Sequence, residues 1–131
     1  MPNKRDLHTL EDIQLLVDTF YAKVQQDPLL KDIFGSVIQD QWPLHLEKMY
    51  RFWQTILLQE HTYYGSPFPP HAQLPVEKKH FDRWQNLFYA TVDANFTGEK
   101  ATEAKWRATK MAEMFLMKIE YAVKNTVVKG K

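Results

Sequence analysis

The chain has 131 residues, of which 44% are hydrophobic, 25% charged and 14% aromatic, and its formal net charge is +1. That length suits one domain around one core, and near-neutral charge gives no reason to expect a nucleic acid or an anionic membrane as partner. The absence of cysteine excludes disulfides and thiolate-bound metal centres of every kind. No apolar run approaches a membrane span, and MPNKRDLHTLEDIQ has no signal-peptide core, so a cytoplasmic protein is the expectation.

Residues 1–8 carry no periodic pattern and are expected to fray, as are residues 125–131. The first helix is predicted from about Leu10 to Gln26. Thr9 and Asp12 stand at capping-box spacing, and Leu10, Ile13, Leu16, Val17, Phe20, Tyr21 and Val24 fall on one face. Asp27-Pro28 ends it, because the residue before proline is steered out of the helical region. LLKDIF reads as a short helical turn stopped by Gly35. A third helix is predicted from roughly Pro43 to Gln59, with proline in its first turn. Residues 60–75 follow as a stiff loop: GSPFPPHAQLP alone holds four prolines around His71. A fourth helix, about Val76 to Asn95, puts Phe81, Trp84, Phe88 and Val92 on one stripe. After Gly98 a last helix, about Ala101 to Lys124, does the same with Ala104, Ala108, Met111, Phe115, Ile119 and Ala122. Strand alternation is missing, so the fold class is all-α, a single domain of about five helices.

Two histidines stand out against this pattern. His45 heads an apolar stripe on the third helix that continues through Met49, Phe52, Trp53 and Ile56. Alone, it reads as a partly buried structural histidine. His71 is held by prolines that restrict its backbone before folding, which suits a ligand to a metal. No H-E-x-x-H or Glu-x-x-His pair is present, which removes the helical zinc-protease and di-iron patterns. One fixed histidine, with a second on an aromatic-rich face, suits a flat apolar cofactor whose metal takes a single protein ligand; haem meets that description. Tyr21 and Trp84, on inward faces, offer an O–H and an N–H donor.

The ordered set FYAKV (20–24), PLLKDIF (28–34), W-x-x-H-x-x-x-M-x-x-FW (42–53), Y-x-G-x-P-x-x-x-H-x-x-L (63–74) and HF-x-RW-x-x-LF (80–88) resembles the truncated haemoglobins of the third group, the two-over-two globins. TVDANFTGEKATEAKWRATKMAEMF (91–115) resembles their last two helices, and the likeness spans about residues 10–120. The resemblance implies a two-over-two helical sandwich around haem b (iron protoporphyrin IX). It implies His71 as the proximal iron ligand, and Tyr21, His45 and Trp84 as the distal residues around the bound ligand. It also implies Phe34, Met49, Phe52 and Trp53 against the cofactor. Lys48, Arg51 and Arg83 are candidates for its propionates. Dioxygen, nitric oxide, carbon monoxide and cyanide would be ligands, with an unidentified reductase restoring ferrous iron. His45 has three open roles: facing the ligand, gating, or binding iron as a sixth ligand. The Gly-Gly motifs of other groups are missing here, as is typical of the third, so an apolar tunnel is not assumed.

Two donors that slow ligand release argue against simple oxygen transport, and point instead to nitric oxide dioxygenation or peroxide chemistry. Two readings compete. One is a haem-free helical interaction module, with Tyr63, Tyr64 and Phe68 on a partner surface. The other is a non-haem metal site built on His71 and His80.

Overall fold

Five helices make up the regular structure of the described residues, 4–63 and 76–129, of the computed structural model. They are α1 (Leu10–Gln26), α2 (Lys31–Ile38), α3 (Trp42–Leu58), α4 (Lys78–Asn95) and α5 (Glu99–Lys129). Among these residues the one extended pairing is an isolated parallel bridge between Arg5 and Phe96. No described helix is long and apolar enough to cross a membrane.

The start of α1 completes both arms of its capping box: Asp12 N donates to Thr9 Oγ1 at 3.2 Å, and Thr9 N donates to the Asp12 carboxylate at 3.1 Å. Asp12 is buried, which opposes its ionisation, yet the N–H groups of His8 and Thr9 and the Arg5 guanidinium outweigh that and hold its carboxyl below the usual range. Ile13, Leu16, Val17, Phe20, Tyr21 and Val24 form the buried face of α1. Asp27 closes the helix and opens the next turn by accepting from Leu29 N and Leu30 N, each at 3.1 Å.

Three boundaries differ from the sequence reading. Residues 5–8 do not fray: Leu7 is fully buried, and the Asp6 carboxylate accepts from Lys100 N and Ala101 N at 2.8 Å each. Those are first-turn donors of α5, which lack partners within their own helix. Gly98 makes the approach possible, with φ at 128° and no side chain; a Cβ there would lie 2.6 Å from Asp6 Cγ. Gly35 does not stop α2, which runs on to the buried Ile38 and ends where Gln39 takes a φ of 55°. The last helix extends past Lys124 to Lys129.

Helix α1 packs against α2, α3 and α4, while α4 lies along α5 and α3 reaches α5. The result is one helix pair over another. Aromatic rings fill the space between: Phe20 meets Tyr21, Trp84 and Phe88 edge-on at 4.9, 5.6 and 5.2 Å between centroids. Phe88 stacks on Trp53 at 5.1 Å and on Trp84 at 5.8 Å. Each such pair contributes about 0.5–1.5 kcal/mol beyond area burial, so the centre is stiff.

Candidate functional site

All five helices contribute to one cavity, about 1070 Å³ counting its open mouth. Tyr21 comes from α1, Phe34 from α2, His45, Lys48, Met49 and Phe52 from α3, His80, Phe81 and Trp84 from α4, and Met111, Ala112 and Phe115 from α5, with Leu30, Tyr63 and Val76 between helices. The polar groups are few and mostly ring-borne; the rest of the wall is apolar, the composition of a pocket for a flat organic group.

The three distal candidates meet here. Tyr21 is 5% exposed, and burial pushes its phenol well above the ordinary tyrosine range. The hydroxyl therefore keeps its proton, and can donate it in a hydrogen bond, at neutral pH. The ring of His45 stands edge-on to Tyr21, 5.0 Å between centroids at 88°, and Trp42 meets both rings edge-on at 5.9 and 5.7 Å. Phe34 closes the group at 6.2 Å from Tyr21. Trp84 lines the cavity from α4, held flat against Phe88.

Helix geometry explains this convergence. The i, i+3, i+4 spacing of α1 puts Tyr21 beside Phe20 and Val24 on the inward side. Asp27 then clasps α1 to α4, accepting from Arg83 Nε at 2.6 Å with its own side chain 1% exposed. The residue after Arg83 is Trp84.

Of the residues named for cofactor contact, Phe34, Met49 and Phe52 line the cavity, and Trp53 does not. Trp53 is 2% exposed and lies one layer behind the wall, stacked on Phe88 and edge-on to Phe52 at 5.4 Å. A one-residue step along a helix turns a side chain by about 100°; here that step takes Trp53 from the wall that Phe52 lines toward Phe88 on α4. Of the three cations, Lys48 lines the cavity. Arg51 is engaged with Glu47 at 2.8 Å and Gln54 at 3.1 Å, and Arg83 with Asp27. His71 lies outside the described residues. The segment leading to it is anchored, since Thr62 N and Tyr63 N both donate to Thr55 Oγ1, at 3.0 and 2.9 Å.

The sequence reading did not assign Leu30, Val76, Phe81, Met111, Ala112 or Phe115 to the site, and it named Tyr63 and His80 only in the competing readings. Phe81, Met111 and Phe115 belong to stripes legible as core, and a core stripe looks the same whether it faces a neighbour or a cavity. Among the described residues no three His, Asp or Glu side chains cluster as a bare metal ion would need. A flat group that brings its own metal ligation needs only broad apolar walls and a few donors, and this donor set fits haem.

A model of the bacterial-like globin family matches residues 8–119. The chain belongs to the bacterial-like globins. This globin is 32% identical over 109 residues to the group 3 truncated haemoglobin of Campylobacter jejuni, covering 80% of this chain and 86% of that protein. The crystal structure of the group III truncated haemoglobin from Campylobacter jejuni superposes with a TM-score of 0.82 at 30% identity, over 89% of this globin and 95% of that chain. Membership implies haem binding and, through haem, the binding of diatomic gases. It disfavours the haem-free interaction module, in which Tyr21 and His45 would be ordinary core residues.

Proposed function

We propose that this globin binds haem b through His71, retains dioxygen with slow release, and acts on the retained ligand. The turnover that suits slow release is nitric oxide dioxygenation or peroxide chemistry, with nitric oxide, carbon monoxide and cyanide as competing ligands. The observation that carries the reading is the convergence of a buried phenol, an imidazole and an indole on one apolar cavity.

When bound, haem supplies an iron with one position open to a diatomic ligand. Tyr21 Oη, kept protonated by burial, offers a hydrogen bond to the ligand from the α1 wall. Trp84 Nε1–H, a donor only, offers a second from α4. Phe34, Met49 and Phe52 exclude water, so each donor acts in a dry setting where it is stronger than in solvent. His45 shares the Tyr21 side; loss of a pH-dependent ferric spin-state change in His45→Ala would identify it as a sixth ligand, and persistence would assign it to the ligand or the mouth.

Absorption spectra of the ferric, reduced and carbon monoxide forms test the reading, with His71→Ala alongside. A Soret band that shifts with carbon monoxide and depends on His71 supports it. A protein that takes up no added haem overturns it.

A further inference from the structure

We infer that His80 anchors the cofactor by an acidic group: its Nε2–H donates to one of the carboxylates at the haem edge. This rests on the haem reading above.

His80 sits in the first turn of α4, is half-buried and lines the cavity. Its Nδ1 accepts from Glu77 N at 2.9 Å, while the Glu77 side chain accepts from His80 N to complete a reciprocal cap. An imidazole nitrogen that accepts from a backbone N–H holds no proton, so the neutral ring carries its proton on Nε2. Neither nitrogen is then available as a metal ligand: Nδ1 is engaged and Nε2 is protonated. What His80 brings to the cavity is a fixed N–H donor.

The electrostatics of the rim say what it would donate to. Among the described residues the cavity lining includes no Asp or Glu, but it includes Lys48 from α3 as well as His80 from α4. Arg51 and Arg83, the other two cations considered for the carboxylates, already serve Glu47 and Asp27. Apart from His45 and Trp84, assigned above to the ligand side, the described lining thus offers Lys48 and His80 and no acid of its own, and iron protoporphyrin IX carries two carboxylates on an otherwise apolar disc. The cap also makes the donor inexpensive in entropy, since the ring is oriented before anything binds.

Two substitutions separate donation from folding. His80→Asn keeps an acceptor near the Nδ1 position, so the cap survives, but it removes the Nε2–H. His80→Gln places an amide N–H near the Nε2 position. The measurement is the rate at which haem passes to an excess of an apo-globin acceptor, followed in the Soret region. It is repeated with the haem dimethyl ester, whose carboxylates are blocked. We expect His80→Asn to lose haem about tenfold faster than the wild type, the value of one charge-assisted hydrogen bond. Loss of the ester should stay within about twofold, and His80→Gln should restore most of the retention of haem. Equal acceleration for acid and ester would overturn the inference and leave His80 as a packing or capping residue, as would no acceleration at all. A wild-type protein that binds neither porphyrin would show instead that the haem reading itself had failed, and the inference with it.

Discussion

Replacing Tyr21 by Phe removes one oxygen atom and nothing else the structure relies on. The ring is 5% exposed and is held edge-on by Phe20, Phe34, Trp42 and His45, with centroids 4.9 to 6.2 Å away, so a phenylalanine will sit where the tyrosine sits. Burial is what raises the pKa of the hydroxyl. Stability of the ligand-free protein should therefore change by less than about 1 kcal/mol, with a gain as plausible physically as a loss. Ligand retention should change far more. A hydrogen bond to a ligand with anionic character is worth about 1.5–3 kcal/mol, and each 1.4 kcal/mol is a factor of ten. Release of dioxygen from Tyr21→Phe should be roughly 10- to 150-fold faster, read by stopped-flow displacement with carbon monoxide. Carbon monoxide, a poorer acceptor, should leave at a nearly unchanged rate. Dioxygen release altered by less than about twofold, in a variant that melts like the wild type, would refute the donor role for Tyr21.

Gly98→Ala should cost about 2–4 kcal/mol in urea titrations, since it combines a φ of 128° with a Cβ 2.6 Å from Asp6 Cγ; a neutral result would show that Asp6 does not cap α5. Leu7→Ala should cost about 2–4 kcal/mol because the side chain is fully buried; a cost under about 0.5 kcal/mol would return residues 5–8 to a frayed tail. Asp6 and Asp12 also set the acid limit. Burial opposes both charges, but backbone N–H groups hold each carboxyl below the usual range. A depressed carboxylate contributes stability above its unfolded pKa, near 3.9, and loses it as pH falls through the folded value. Stability should thus decline below about pH 4, and Asp6→Asn should flatten that decline in pH-dependent urea unfolding. Trp53→Phe should lower the melting temperature while leaving the Soret maximum of the haem-loaded protein in place; a shifted maximum would return Trp53 to the cavity wall.

Helix existence was legible where local chemistry decides it. The face of α1 from Ile13 to Val24, its Thr9–Asp12 cap and the stop at Asp27 all follow from neighbours in sequence. What escaped the sequence is long-range. Nothing near Asp6 announces that its carboxylate will meet Lys100 N and Ala101 N, and nothing near Gly98 says which residue needs its missing side chain. The continuation of α2 through Gly35 is similar: glycine costs about 1 kcal/mol in a helix, and the burial of Ile38 beyond it tips the balance. In the site, the family pattern named Tyr21, His45, Trp84, Phe34, Met49 and Phe52, and these six line the cavity. It also named Trp53, which packs behind the wall on Phe88, a distinction that adjacent aromatics in a motif do not reveal. His80 was read only as half of a competing metal site with His71, because its place in the cavity rests on a tautomer that only the bond from Glu77 N fixes.

The buried carboxylate of Asp27 joins the end of the helix that carries Tyr21 to the start of the helix that carries Trp84, and it does so outside the cavity. The placement of Tyr21 relative to Trp84 is consequently tied to an ion pair that forms no part of the cavity lining. A change at Asp27 or Arg83 would then alter how those two helices meet, with every cavity-facing side chain preserved. Two chains with identical pockets need not behave identically, and the place to look for the difference is the joint between the two helices.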